Sequence, residues 1–316
     1  MGGAVSGAAP YSERTPRVAA ARRLTRRAAR EETGEFLAEG PQAVREALAA
    51  ALRGARGRPR ELFATAEALG RHTDLADLAR RAGVPVSEVT PRAAAALSET
   101  SRPQGLVAVC PALDVPLAAA LAGRPALVAV LADVRDPGNA GTVLRSANAA
   151  GADAVVLAGD SVDPYNGKAV RASAGSLFHL PLVRGADLAT ALVAAHGAGL
   201  TVLAADGTGE DDLEELADAG ALATPTAWLF GNEAWGLPAA VGALADRRVR
   251  IPISPRAESL NLAAAAAVCL FASAWALGKA RADARRAAPR GAVRSARGGA
   301  ARPLTGGAEH PERAMP

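Results

Sequence analysis

The sequence predicts an α/β protein in which a small α/β unit precedes a larger one built on a mostly parallel sheet with helices on both faces. Three observations carry this. Short apolar runs alternate with segments of helical period from residue 36 to 278, the pattern of strand–helix–strand units that build parallel sheets. A Pro- and Ala-rich stretch, 111–125, divides two such series and reads as a linker. The second series ends in "LNLAAAAAVCLFASAWAL", a helix apolar all round, which must be buried on several sides.

Along the chain, residues 1–16 are expected to be a disordered arm and 17–32 a basic helix. "EFLAEG" and "RELFAT" predict strands, and "PQAVREALAAAL" between them predicts a helix with Pro41 at its first position. "AEALGRHTDLADLARRAG" reads as one helix, followed by strand "VPVSEV", helix "PRAAAALSET" and strand "GLVAVC". Residues 17–110 thus form the small domain. In the domain at 126–278, strands are predicted at "ALVAVLA", "DAVVLA", "LFHLPL", "LTVLAA", "TAWLFG" and "RVRIPI", and a long helix from 259 to 277. Residues 279–316 lack large apolar side chains and are rich in Gly, Pro and Arg, so a disordered basic tail is expected.

Charge is unevenly spread. The net charge of +4 over 316 residues divides into +6 for residues 1–30, about −8 for 31–278, and +6 for 279–316. Basic arms on an acidic body suit a polyanion such as nucleic acid. They also suit a GC-rich genome, since only Lys168 and Lys279 are lysine. Cys110 and Cys269 lie far apart in apolar runs, which predicts buried free thiols in a reducing cytoplasm. No signal peptide is read at the start, and no uncharged apolar run is read as reaching the roughly 18 residues of a membrane span. The four histidines are scattered, so no metal site is expected.

Four stretches carry the chemistry. In "VRDPGNAGTVLRSANAAGADAVVL", residues 134–157, the chain turns from a strand into a helix. It lacks the G-x-G-x-x-G fingerprint and the P-loop lysine, so an ordinary dinucleotide site is not expected. Asn139 and Arg145 fit either a helix cap with a solvated cation or a phosphate site. In "WLFGNEAWGLP", Glu233 follows a buried strand, at the sheet end where open α/β folds place ligands; a capping acid is the other reading. In "VRIPISPRAESLNLAAAAAVCLF", Ser259 reads as the N-cap of the long helix, while Asn261 needs a partner of its own. "NGKAVRASAGSLFHLP" gathers Lys168, Arg171 and Ser173, which suit a phosphodiester backbone or simply a solvated loop.

Taken together, "DPGNAGTVLRSANAAGA", "VRASAGSLFHLP", "FGNEAWGLP" and "IPISPRAESLNLAAAAAVCLF" resemble, in order and spacing, the SpoU (TrmH-type) RNA ribose 2′-O-methyltransferases of the SPOUT superfamily. The resemblance covers about 126–275, and 20–110 more loosely resembles the small substrate-binding domain that precedes many members. It implies a deep trefoil knot in the sheet domain, against the usual rule of unknotted connections. It further implies an S-adenosylmethionine pocket made largely of main chain, with Ala205, Asp206 and Gly207 on the adenosine side and Leu229, Phe230, Gly231, Ile251, Ser259 and Leu260 around it. Asn139, Arg145, Glu233, Ser259 and Asn261 are the implied catalytic constellation, and Lys168, Arg171 and Ser173 the implied RNA contacts. Arg145 is then a phosphate clamp rather than a free base, because guanidinium stays protonated. Dimerisation through the knotted domain is implied too, with ribosomal RNA as substrate. A tRNA substrate, or a non-catalytic RNA-binding protein of the same fold, are the alternatives.

Overall fold

The computed structural model describes residues 9–287. In the small domain the order is α1 (Pro16–Arg23), α2 (Arg27–Thr33), β1 (Glu35–Glu39), α3 (Pro41–Leu52), β2 (Glu61–Ala64), α4 (Ala66–Arg71), α5 (Thr73–Arg81), β3 (Val86–Glu88), α6 (Pro91–Ala96) and β4 (Leu106–Pro111). Its four-stranded sheet has the order β1-β4-β2-β3, with β4 antiparallel to both neighbours. Thr65 and Thr90 cap α4 and α6 through their hydroxyls. Gly40, in a left-handed conformation at φ 92°, starts α3, and Pro41 fills its first position as expected.

Several small-domain expectations need correction. The arm is not disordered from residue 9 onward, because Tyr11 pairs with Val89 beside β3 and accepts from Thr90 N–H. The basic helix is two helices, since Val18, Ala21 and Leu24 turn into the core and the chain bends at 24–26. The helix expected over 66–83 breaks at His72, whose φ of −125° is not helical. The "linker" is packed: Asp114 bridges to Leu182, the short helix α7 (Leu117–Ala120) lies on the large sheet, and Leu113, Ala120 and Leu121 are buried.

The large domain runs β5 (Leu127–Ala132), α8 (Pro137–Ala149), β6 (Ala154–Ala158), α9 (Gly167–Ala172), β7 (Leu182–Ala186), α10 (Leu188–Gly197), β8 (Thr201–Ala205), β9 (Asp211–Asp212), α11 (Leu213–Asp218), β10 (Thr226–Phe230), α12 (Ala239–Gly242), β11 (Arg247–Arg250) and α13 (Leu262–Ala287). Its seven strands, in the order β7-β6-β5-β10-β8-β11-β9, are all parallel. Insertion of β10 between β5 and β8, followed by a return of the chain over the strand ends into α13, is consistent with the knotted topology the family resemblance implies.

Both faces of this sheet are covered, which explains its continuous apolar runs. Leu127, Ala129, Leu131, Trp228 and Phe230 face α8 and α13, while Val128, Val130, Ala227 and Leu229 face α7 and α10. That is the period of two of a pleated strand. Trp228 is fully buried and its indole N–H donates to the Ser273 hydroxyl on α13 at 2.9 Å. On α8, Gly141 is required by closeness: a Cβ there would lie 2.4 Å from the Ala169 carbonyl oxygen of α9.

Further expectations shift here. "LFHLPL" is a 3₁₀ turn at Ser176–Phe178 followed by a strand that starts only at Leu182. The long helix begins at Leu262 rather than 259 and continues to Ala287, so 279–287 are helical rather than tail; Ala and Arg favour helix there. Residues 288–316 and 1–8 lie outside the described residues. Contrary to the expectation of no membrane-length segment, Leu262–Arg286 is long and apolar enough to cross one. Its Ala266, Cys269, Leu270 and Ser273 are buried in the protein core against α8 and the sheet.

Candidate active site

At the carboxyl ends of β8, β10 and β11 lies a cavity of about 350 Å³, within the size range of small-molecule sites. The turn after β8 supplies Ala205, Asp206 and Gly207, and the end of β10 supplies Phe230 and Gly231. The approach to α13 adds Ile251, Ser259 and Leu260. Eight of the nine residues implied for a cofactor thus line one cavity. The exception is Leu229. It is fully buried on the α10 face of the sheet, because alternate strand residues point to opposite sides.

The rim of the cavity is a hydrogen-bonded chain. Glu233 accepts the main-chain N–H groups of Arg135 and Asp136, each at 3.0 Å, and the Asn139 side-chain amide at 3.2 Å. Asn139 in turn accepts from the Asn261 amide at 3.1 Å. Asn261 also caps α13, its Oδ1 accepting Ala263 N–H at 2.9 Å. The cap therefore belongs to Asn261, not to Ser259, which stands exposed on the cavity wall. Neither bland reading of Asn139 or Glu233 holds. Asp136 caps α8, accepting Asn139 N–H at 2.9 Å, which frees the Asn139 side chain to bridge two other elements.

Electrostatics fix the state of the rim. Burial works to raise the Glu233 pKa, but the N–H groups of Arg135 and Asp136 and the Asn139 amide outweigh it and hold the carboxyl below its ordinary value. Asp136 is likewise lowered, chiefly by the Lys168 ammonium 2.7 Å away. At Asp206 the upward pull of burial is overcome by the Thr208 N–H and hydroxyl and by Arg248, which reaches the carboxylate at 2.9 Å.

Two predicted residues stand apart. Arg145 is exposed and, among the described residues, has no hydrogen bond or ion pair; six residues beyond Asn139 on α8, it lies about 9 Å along the axis and on a different side of the helix. The rim residues bind one another rather than this arginine. Ser173 is fully buried and its hydroxyl donates to the Val170 carbonyl at 2.8 Å, so it is not an RNA contact. Lys168 and Arg171 reach the surface, paired with Asp136 and Glu39 respectively.

Sequence reasoning missed Asn232. It is buried, and its amide donates to the Asp133 carbonyl at 2.7 Å while its Oδ1 accepts Ala234 N–H. Asp133 is held at φ 54°, a left-handed conformation that non-glycine residues adopt at a cost. The sequence signal was a polar amide directly after a wholly apolar strand. Gly231 closes the same turn: a Cβ there would lie 2.4 Å from the Gly236 carbonyl oxygen. Arg248 was missed as well, although it fastens the turn bearing Asp206.

The lining suits a nucleoside-like ligand: an apolar floor of Phe230, Val249, Ile251 and Leu260, main-chain groups at strand ends, and the polar side chains of Asp206, Asn232, Glu233, Glu258 and Ser259. Comparison with known proteins agrees. The SpoU rRNA Methylase family model matches residues 126–271, and a model of the MRM3-like substrate binding domain matches 15–108. Over 243 residues the chain is 33% identical to the 23S rRNA (guanosine(2553)-2′-O)-methyltransferase RlmP of Bacillus subtilis (strain 168), covering 77% of this chain and 89% of that protein. Among solved structures, an AdoMet-bound rRNA methyltransferase from Sinorhizobium meliloti superposes with TM-score 0.70 and 32% identity, covering 82% of this chain and 94% of that one. The SpoU methyltransferase AviRb from Streptomyces viridochromogenes, in complex with AdoMet, gives TM-score 0.71 and 29% identity over 83% and 98% of the two chains. The chain belongs to the SpoU rRNA methylase family.

Proposed function

We propose that this protein methylates the 2′-hydroxyl of a ribose in ribosomal RNA, with S-adenosylmethionine as cofactor and 23S RNA as the substrate. The observation that carries the reading is the joining of two features. A cavity built from strand-end main chain has, at its rim, the Glu233–Asn139–Asn261 chain.

The cofactor, when bound, supplies an electrophilic methyl group. Phe230, Ile251 and Leu260 exclude water from its site, and the 205–207 turn closes one side. Asn139 and Asn261 hold the start of α8 against the start of α13, so that an incoming ribose meets a preformed edge. Glu233 does not take the hydroxyl proton. A carboxyl held below its ordinary pKa is a weak base at neutral pH, and all its contacts are donors that fix position. Arg145, free of intramolecular partners among the described residues, grips an RNA phosphate.

A second copy of the chain docks on α13. Trp275 is 71% exposed and Val268 43%, and both line an apolar groove of about 450 Å³ shared with α11. An exposed apolar face of this kind marks an association site.

Methyl transfer from labelled cofactor to rRNA and tRNA of cells lacking the gene tests the function, with Asn139→Ala alongside. Label on one ribose 2′-oxygen of 23S RNA, appearing more slowly with the variant, is the expected result. Label in tRNA alone would replace the substrate, and no transfer to either would overturn the reading.

A further inference from the structure

The two domains meet at a closed seam. Arg30 on α2 and Asp163 before α9 are 5% and 4% exposed and lie 2.7 Å apart. Nε and Nη2 of Arg30 meet the carboxylate and Nη1 donates to the carbonyls of Leu24 and Thr25, so every nitrogen of this buried charge has a partner. Phe36 of β1 stacks on Tyr165 at 4.6 Å and on Phe178 at 6.0 Å. The Tyr165 hydroxyl donates to Asp114 and accepts Leu113 N–H, fastening the interdomain segment as well. Relative motion is the default for two domains in one chain. A contact this apolar, with its one buried ion pair satisfied, sets them at a fixed distance.

Where the seam opens to solvent it forms a further cavity, of about 390 Å³. The small domain contributes Gln42, Thr100, Arg102 and Gln104, and α9 contributes Arg171. Of the lining charges two are cationic and one, Glu39, is anionic. Glu39 is already engaged by Arg171 at 3.1 Å and by the hydroxyls of Ser98 and Thr100. Arg102 is exposed and has no ion pair or hydrogen bond among the described residues. The Gln104 carboxamide, without a hydrogen bond among the described residues, and that of Gln42, whose Nε2 donates to Glu46 at 3.3 Å, offer donor and acceptor groups to a base edge. They stand beside two guanidinium groups, which match a phosphodiester.

Helix α9 joins this cavity to the active site. Lys168, one turn before Arg171 and about 5 Å from it along the axis, pairs with Asp136, the residue that caps α8 just ahead of Asn139. Helix α9 thus carries Lys168 at the active-site rim and Arg171 at the seam.

We propose that the seam cavity holds an unstacked nucleotide of the substrate RNA that flanks the methylated one, its phosphate on Arg102 and Arg171 and its base edge against Gln42 and Gln104. The inference rests on the reading of the chain as an RNA ribose methyltransferase. It makes the seam a specificity element, since only RNA that presents a flanking nucleotide at this distance is bound in register.

The test uses the full-length protein and rRNA from cells lacking the gene, with Arg102→Ala, Arg102→Lys and Gln104→Ala variants. Arg102 and Gln104 are both exposed, so the fold is retained. For Arg102→Ala, KM for RNA should rise about tenfold and the slope of log affinity against log salt should fall by about one contact. The kcat and the affinity for S-adenosylmethionine should stay unchanged. Arg102→Lys should restore most of the phosphate contact, and Gln104→Ala should raise KM with no change in salt slope. If the wild type methylates ribose while Arg102→Ala and Gln104→Ala keep its KM and salt slope, the seam site is overturned and the function stands. A wild type that transfers no methyl group overturns the function and this site with it.

Discussion

The carboxylate of Glu233 and the amide of Asn139, 94 residues apart in the chain, meet at 3.2 Å, and the same carboxylate holds the Arg135 and Asp136 N–H groups. One side chain thereby locks the turn after β10 to the first turn of α8. Glu233→Gln turns one acceptor oxygen into a donor facing donors. The expected outcome is a loss of about 100-fold in kcat/KM, the scale of a roughly 1 Å misplacement of a reacting group. Asn139→Ala removes one bond to Glu233 and one from Asn261 but leaves Glu233 holding the Arg135 and Asp136 N–H groups, so it should lose less. Single-turnover methylation rates order the two variants, and equal losses would count against this hierarchy.

The same carboxylate sets a pH limit. Its folded pKa is lowered, so the stability it confers is fully present above its unfolded value of about 4.3 and is lost as pH falls through the lower folded value. Cofactor affinity should therefore be flat from neutrality to about pH 5 and decline only in more acid solution. Carbon NMR titration of the Glu233 carboxyl checks this, and a midpoint above the ordinary glutamate value would refute it.

In the core, Trp228 donates to Ser273 at 2.9 Å, both fully buried. Trp228→Phe leaves the hydroxyl without its donor and should cost about 1–3 kcal/mol, beyond the loss of ring volume. Adding Ser273→Ala should recover part of that cost. Urea denaturation of both single variants and the double variant gives the coupling energy, and strict additivity would show the bond to be without consequence.

Self-association depends on α13 in this reading. Trp275→Glu places a charge on the most exposed large apolar side chain described, in a groove with Phe271, which lies 5.7 Å away ring to ring. Sedimentation should show a dimer for the wild type and a monomer for the variant at micromolar concentration. A wild type that sediments as a monomer removes the α13 interface.

Both thiols should be inert in the native state. Burial pushes Cys269 up to about 12 and raises Cys110 as well, with a smaller upward push on Cys110 from Glu35. Reaction needs thiolate. A disulfide reagent at neutral pH should modify neither residue until denaturant is added, and fast native modification would show that one of them is accessible.

How legible this was in the sequence differs from element to element. Helix α3 could be bounded to the residue, Pro41 to Leu52, because proline marks its start and apolar spacing runs its length. The strands β5, β6 and β10 were plain as apolar runs. In contrast, the strand expected from Leu177 is a turn, because Pro181 and the packing of Phe178 against Phe36 postpone pairing until Leu182. At the site, motif spacing brought Asn139, Glu233 and Asn261 forward. It could not say that Asp136 rather than Asn139 caps α8, since both residue types cap helices equally well. Ser173 looked available because one turn of helix gives no sign of which side will be covered. Leu229 and Phe230 are expected together at the pocket, but as adjacent strand residues only the Phe230 side chain faces the cavity, which leaves Leu229 its main chain alone to offer.

By itself the sequence determined the fold class, the two series of α/β units, the residue types at the acceptor edge and the family. Each of these follows from local pattern: apolar runs, caps, and motifs whose order survives in a linear reading. Only the tertiary structure decided which polar groups are partnered, that Arg145 has no hydrogen bond or ion pair among the described residues, and that a packed seam joins the domains. Those outcomes depend on contacts between residues as distant as Arg30 and Asp163, 133 positions apart. Burial and pairing are properties of the folded neighbourhood, and no span of sequence contains both partners.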